Sequence, residues 1–182
     1  MARNKYVKDY RLVESVDERG RIRVESEYIG RYYVFRADAP TISAEKKRLG
    51  ALCAVSWLTY IGAMIPISAA MRTYYISLPF VLAALPLGML SASVAALPTD
   101  GSPMVHSTAD KIANSLPPRA LFAALLSALA FAAQLVRLAF TRKGLWPGDG
   151  IFCLGAAVTA FCGWRIFSRR KNLALCETEE KP

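Results

Sequence analysis

The stretch ALFAALLSALAFAAQLVRLAF, residues 120–140, decides how this chain folds. It is long enough to cross a bilayer as a helix, which takes about 20 mostly apolar residues. At helical spacing its two sides differ: one carries Ala123, Ser127, Ala130, Gln134 and Arg137, and the other carries Phe122, Leu125, Leu129, Val136 and Phe140. Small residues let helices approach closely in lipid, and Ser and Gln can hydrogen-bond across the contact. The stretch therefore predicts a transmembrane helix that packs against other helices.

The composition of the whole chain agrees with a membrane protein. Of the 182 residues 54% are hydrophobic, and the mean hydropathy is +0.27, which exceeds what a soluble domain of this size carries. The formal net charge of +9 comes from Lys and Arg that mostly flank apolar stretches. Nucleic-acid-binding proteins instead cluster such residues on one face of a soluble fold. We therefore expect the lipid bilayer as a partner and no nucleic acid.

Apolar runs of helical length predict four membrane spans and an all-α transmembrane fold, a four-helix bundle within residues 41–171. Pro66 interrupts the first run, where we expect a kink rather than an end, because neighbouring helices can satisfy the freed carbonyl. Pro79 and Pro86 lie on nearly the same side of the second run and favour a permanently curved helix over a hinge. The predicted spans are residues 49–70, 75–97, 120–140 and 151–167.

Residues 1–40 alternate between apolar and polar side chains, as in a half-buried strand. The alternation is clearest over residues 22–34, and an earlier strand covers about residues 6–13. Residues 17–20 supply a turn ending in glycine, and Gly30 marks a bend or a second turn. We predict a small cytoplasmic antiparallel β-hairpin, or a three-stranded sheet, within these 40 residues.

The loop between the second and third predicted spans and the C-terminal tail carry further sequence patterns. In residues 98–119, Ser107 and Asp110 resemble a helix capping box, which predicts a short interfacial helix between spans 2 and 3 that Pro117 and Pro118 end. Residues 172–182 end in acidic residues, and we predict a disordered tail.

Basic residues also predict the orientation. Residues 1–48 hold twelve Lys or Arg, residues 98–119 hold two, and the flank from Arg165 holds five. Because Lys and Arg accumulate on the cytoplasmic side, we predict a multi-pass protein of the cell membrane with cytoplasmic N- and C-termini.

The sequence gives little support to ion-coupled transport, metal binding or catalysis. All fourteen acidic residues lie outside the four predicted spans, which disfavours ion-coupled transport. There is a single histidine, His106, and the four cysteines have no metal-ligand spacing, so we expect no metal and no cofactor. No phosphate loop or activated nucleophile is visible. We therefore expect that the protein is not an enzyme.

Six residues are candidates for helix contacts or for lining a pathway. Gly155, Thr159 and Gly163 recur every fourth residue and form a stripe that favours close packing. Ser127, Gln134 and Arg137 are the polar residues of the third span. Arg137 has two interpretations: an anion or substrate contact on an interior path, or an anchor whose long side chain reaches the headgroups.

These patterns give two functional hypotheses. The leading one is a membrane protein that acts through helix packing, as a homo-oligomer or as a small accessory subunit of a complex with another membrane protein. The alternative is a channel or facilitative transporter whose pathway is lined by the polar side of the third span.

Overall fold

The computed structural model describes residues 7–16, 22–66, 68–98, 102–141 and 147–178. Helices dominate this part of the chain, and short 3-10 helices lie at Val7–Asp9, Ala70–Arg72 and Arg169–Leu173. The strands are β1 (Tyr10–Val16), β2 (Ile22–Tyr28), β3 (Tyr32–Phe35), β4 (Met104–Val105) and β5 (Leu175–Thr178). The helices are α1 (Ala39–Met64), α2 (Tyr74–Leu82), α3 (Ala84–Ala95), α4 (His106–Thr141) and α5 (Pro147–Ser168).

The N-terminal strands divide between two sheets, whereas the sequence predicted one. β1 and β2 form an antiparallel hairpin in which Tyr10 pairs with Tyr28; the turn predicted at residues 17–20 lies outside the described residues. At Gly30 the chain bends, and a Cβ there would lie 2.5 Å from Tyr28 Oη. β3 then pairs antiparallel with both β4 and β5, in the order β4-β3-β5. This second sheet joins the N-terminal region, the middle loop and the C-terminal segment at one end of the helices.

The prediction of a disordered tail over residues 172–182 is wrong for its described part. Arg169–Leu173 forms a 3-10 helix and Leu175–Thr178 forms β5. Backbone pairing with β3 orders this segment, and Arg31 Nη1 lies 2.7 Å from Glu177 Oε2 across the two strands. Composition alone gave no sign of a partner so distant in the sequence. Residues 179–182 lie outside the described residues.

Within the described residues, three helical segments are long and apolar enough to cross a membrane: Tyr74–Ala95, His106–Phe140 and Pro147–Leu173. α1 is not among them. The predicted first span, residues 49–70, is wrong at its C-terminal end, because α1 ends at Met64 instead of kinking through Pro66. Ile65 still has helical backbone angles, but Pro66 lacks the N–H that would bond the carbonyl four residues earlier and continue the hydrogen-bond ladder.

The second predicted span, residues 75–97, consists of two helices that meet at Ala83. Pro86 has no N–H to donate to the carbonyl four residues earlier, so the hydrogen-bond ladder is interrupted at this point. The Ala83 N–H is shared between the carbonyls of Pro79 and Phe80, at 3.1 Å each. The apolar run is therefore divided into two short helices between its two prolines.

The separate interfacial helix predicted before the third span does not exist. A single helix, α4, runs from His106 to Thr141 and contains Pro117 and Pro118 in its interior. The two prolines free the carbonyls of Ala113 and Asn114, and both of these residues are exposed. Because water can satisfy exposed carbonyls, the helix continues past both prolines.

The core contains buried side chains from all five of the helices α1–α5. Tyr60 stacks on Phe80 with ring centroids 4.6 Å apart, and Phe80 contacts Phe152 at 4.8 Å. The Tyr60 hydroxyl donates to the Phe80 carbonyl at 3.1 Å, and Trp57 Nε1 donates to Ser91 Oγ at 3.0 Å. These contacts hold α1 beside α2 and α3, whereas α4 packs on α5 and also on α2 and α3.

Candidate functional site

The two sides of α4 differ in exposure. Ser127 and Gln134 have no solvent-accessible surface, and Ala123 and Ala130 are also buried. The opposite side is more than half exposed at Phe122, Leu125, Leu129, Val136 and Phe140. Among the described elements, α5 is the main neighbour of α4, so the small and polar side of α4 faces a helix of the same chain.

At the end of the helices away from the sheets, three side chains form a closed polar cluster, which we call the polar triad: Gln134, Arg137 and Asp149. Arg137 Nε donates to Gln134 Oε1 at 2.9 Å. Gln134 Nε2 donates to Asp149 Oδ1 at 3.2 Å, and Arg137 Nη2 lies 2.9 Å from the same oxygen. The side chains of Arg137 and Asp149 are 14% and 6% exposed. The triad thus joins α4 to α5 through a buried ion pair.

Asp149 is the member that the sequence analysis missed. The fourth span was predicted to begin at residue 151, so every acid was placed outside the spans, whereas α5 begins at Pro147 and buries Asp149 in its first turn. Pro at the first helical position and an acid in the first turn are both helix-start signals. Applying them at Pro147 would have brought this carboxylate into the helix.

The triad also changes the interpretation of Arg137. Its side chain is too buried to be a headgroup anchor, and its charge is neutralised by Asp149, so it is not an open anion contact. A buried ion pair whose atoms also bond a neutral amide carries no net charge. The arrangement acts as a clamp between the end of α4 and the start of α5.

Ser127 lies deeper in the same interface. Other hydroxyls in these helices donate to the carbonyl four residues earlier, as Ser56 does to Leu52 at 2.8 Å and Ser91 does to Leu87 at 3.0 Å. Ser127 Oγ is buried, and within the part of the chain that the structure describes it has no hydrogen-bond partner.

The small-residue stripe of α5 contacts two neighbouring helices of the same chain. A Cβ on Gly155 would lie 2.6 Å from Ala63 Cβ of α1. Thr159 Oγ1 lies 3.2 Å from Thr59 Oγ1 of α1. A Cβ on Gly163 would lie 3.1 Å from the Ala120 carbonyl of α4. The stripe is therefore covered within the chain.

No protein-family model, curated protein or solved structure matches this chain. Its function must therefore be argued from its own geometry.

A second ion-pair cluster lies at the end of the helices near the sheets. Arg169 Nη1 contacts both oxygens of the Glu45 carboxylate at 2.8 Å, and Arg48 Nη1 contacts one of them at 3.0 Å. Burial would raise the pKa of Glu45, but the hydrogen bonds and charges of Arg169 and Arg48 outweigh it and hold this pKa below its ordinary value. Glu45 thus ties the start of α1 to the segment after α5.

The hairpin β1–β2 is attached to α4 through His106. Its ring Nδ1 lies 3.0 Å from Asp9 Oδ2, and its backbone N–H donates to the Tyr28 hydroxyl at 2.9 Å. Tyr33 stacks on the imidazole with centroids 5.4 Å apart. These contacts position the hairpin beside the second sheet.

Metal ligation finds no geometric support in the described ranges. There, no group of three or more His, Cys, Asp or Glu side chains is placed to hold an ion. The cysteines at 53, 153, 162 and 176 are all free thiols.

Proposed function

We propose that this chain is a four-span integral membrane protein without enzymatic activity that serves as a binding subunit, for a second copy or for another membrane protein. The observation that carries the membrane assignment is a belt of exposed apolar side chains around the helices. Large exposed apolar patches are uncommon on soluble monomers. The belt includes Val55, Leu58, Ile61, Leu78, Val81, Leu85, Phe122, Leu125, Leu129, Leu154, Phe161 and Trp164.

The belt supports α1 as the fourth span. Val55, Leu58 and Ile61 of α1 are exposed beside the lipid-facing residues of the other helices. From Leu49 to Met64 a rise of about 1.5 Å per residue gives roughly 24 Å, against a hydrocarbon thickness of about 30 Å. A short span of this kind is accommodated by local thinning of the bilayer and by flanking basic side chains that reach the headgroups.

The sheet end of the helices is proposed to face the cytoplasm of a cell membrane. β3, β4 and β5 belong to one sheet, so the N-terminal region, the middle loop and the C-terminal segment share a side. Those three regions together hold most of the 23 Lys and Arg of the chain, and the positive-inside rule assigns them to the cytoplasm.

The surface proposed for a partner outside the membrane is on the hairpin. The polar side of α4 and the stripe of α5 are covered within the chain, as described above. In the hairpin, Leu12 and Val24 are 73% and 59% exposed. The register puts them on one face with Tyr10 and Ser26, whereas Arg11, Val13 and Glu27 lie on the other. Two-stranded hairpins are marginally stable alone, so an exposed apolar face on one favours a binding role.

Site-specific crosslinking in the native membrane tests this role. A photo-reactive residue in place of Leu12 should give a discrete crosslinked product, either a dimer of the chain or an adduct of one other membrane protein. The same residue in place of Glu27, on the opposite face, is the matched control. Equal patterns from the two positions, or no product from position 12, would contradict the proposal.

One observation favours the alternative of a channel or facilitative transporter, namely the buried Ser127 hydroxyl without a described hydrogen-bond partner. A pathway along Ser127, Gln134 and Arg137 would require α4 and α5 to separate, since all three side chains are buried between them. Flux into liposomes tests it: transport by the wild type that Gln134→Leu and Arg137→Leu abolish would favour the pathway, whereas unchanged transport would exclude this lining.

A further inference from the structure

A basic groove lies between α1 and α5 at their sheet end, and none of the functions argued above uses it. Its volume is about 310 Å³. It is lined by Arg48, Ala51, Leu52, Val55, Arg165 and Arg169.

The groove is polar at its rim and apolar along its floor. Arg165 lies in the last turn of α5, Arg169 begins the 3-10 helix that follows, and Arg48 of α1 lines the same groove. The floor continues from Ala51 to Val55, which is 42% exposed within the apolar belt. A ligand that fits has an anionic head beside an apolar chain.

Positive charges outnumber negative charges at the groove. Glu45 accepts hydrogen bonds from Arg169 and Arg48, so one carboxylate engages two of the three guanidinium groups that line the groove. The side chain of Arg48 remains 62% exposed. Arg165 is exposed, and within the described residues no hydrogen bond or ion pair engages it. Each guanidinium has five N–H donors, so the rim retains both positive charge and free donors.

We propose that this groove binds the phosphate of an anionic glycerophospholipid from the leaflet on the sheet side, with one acyl chain lying over Ala51 and Val55. Guanidinium groups bind phosphate oxygens through paired, charge-assisted hydrogen bonds. Basic pockets between helices at the cytoplasmic end of a membrane domain suit anionic headgroups. The inference rests on the proposed position of this end at the membrane surface, and it assigns a ligand that the proposed binding role does not require.

Native mass spectrometry of the delipidated protein in mild detergent tests the site. Phosphatidylglycerol and phosphatidylcholine are titrated separately into the wild type and into the Arg165→Gln and Lys171→Gln variants. Lys171 is exposed at the same end but outside the groove, so its replacement removes the same charge. We expect preferential binding of phosphatidylglycerol, a loss of about tenfold in affinity for Arg165→Gln, and a change below about twofold for Lys171→Gln.

A second variant gives an independent measurement. Arg48→Lys keeps the charge beside Glu45 but removes the planar fork that binds phosphate through two N–H groups, so we expect weaker phosphatidylglycerol binding with an unchanged circular dichroism spectrum. Equal affinity for the two lipids, or equal losses in Arg165→Gln and Lys171→Gln, would overturn the proposal. Displacement of the lipid by millimolar inorganic phosphate would assign the groove to a free anion instead. Crosslinking from position 12 does not depend on Arg165, so the lipid site and the binding role fail or succeed separately.

Discussion

Replacing Gly155 with alanine tests how closely α1 and α5 pack. The new Cβ would lie 2.6 Å from Ala63 Cβ and 2.7 Å from the Thr59 carbonyl oxygen, which is about 1 Å short of van der Waals contact. The second neighbour is backbone, so a side-chain rotation cannot relieve the clash. The two helices must separate, which also strains the contact between Thr59 and Thr159.

The magnitude combines two opposing effects. Overpacking in a well-packed interface costs about 1–3 kcal/mol, and replacing a helical glycine with alanine returns about 1 kcal/mol of helix propensity. We expect Gly155→Ala to lower the free energy of unfolding by about 0–2 kcal/mol, which is about 1–3 kcal/mol below a helical Gly→Ala replacement that causes no clash. Gly62 of α1 is the matched control, because a Cβ there meets nothing within 4 Å, and Gly62→Ala should be neutral or stabilising.

Equilibrium unfolding in mixed detergent micelles, followed by circular dichroism, measures both variants. Size-exclusion chromatography with light scattering shows whether the oligomeric state changes. If Gly155→Ala unfolds like Gly62→Ala, the close approach of α1 and α5 is refuted. If it alters the oligomeric state without altering monomer stability, the stripe joins copies of the chain rather than helices within one copy.

Three further predictions follow from the clusters at the two ends of α5. Asp149→Ala leaves the Arg137 guanidinium buried without its counter-charge and should lower the free energy of unfolding by about 3–5 kcal/mol. In a double-mutant cycle, Asp149→Ala combined with Arg137→Leu should lower it by less than the sum of the two single losses. Because the pKa of Glu45 is lowered in the folded state, its ionised carboxylate stabilises the fold fully above the ordinary carboxyl pKa of 4.5, and this stabilisation is lost as the pH falls further. The stability difference between wild type and Glu45→Gln should therefore shrink in thermal melts below about pH 4. Deleting residues 174–182 removes β5 and should raise amide exchange in β3 by about tenfold or more, measured by hydrogen–deuterium exchange, and deletion of residues 179–182 alone should not.

Local periodicity predicted the features that depend on one helix at a time. The side of α4 that carries Ser127 and Gln134 is buried and the side that carries Phe122 and Leu129 is exposed, because a spacing of three and four residues determines which side chains share a helix face. The mainly helical composition and three of the apolar segments follow from the same reasoning.

Features that depend on distant partners were not predictable in this way. β3 pairs with β4 and β5, which follow it by roughly 70 and 140 residues, and neither segment is a strand by composition. The burial of Asp149 likewise depends on Arg137 of another helix, since an unpaired carboxylate at that depth would be unfavourable.

Proline shows why a local rule is incomplete. Pro66 lies just beyond the end of α1, whereas Pro117 and Pro118 lie inside α4. Each of these prolines removes the same hydrogen bond, from its own N–H to the carbonyl four residues earlier. At Pro117 and Pro118 the freed carbonyls belong to exposed residues, so water can replace the bond, and the outcome depends on tertiary surroundings that the sequence pattern does not contain.

The contacts of α5 bear on where the proposed partner would bind. Toward its start, Asp149 pairs with Arg137 of α4 while Gly155 contacts α1; toward its end, Gly163 contacts α4, and the following Arg169 pairs with Glu45 of α1. α5 is thus held to both neighbours along its length, and opening either interface would expose small, polar or charged groups to lipid, which is unfavourable. Association through the small and polar faces of α4 and α5 would have to break these contacts, whereas the proposed binding face of the hairpin is exposed and takes no part in them. The hypothesis of association, which the sequence placed on helix faces, therefore moves to the hairpin, and the crosslink from position 12 is the measurement that decides it.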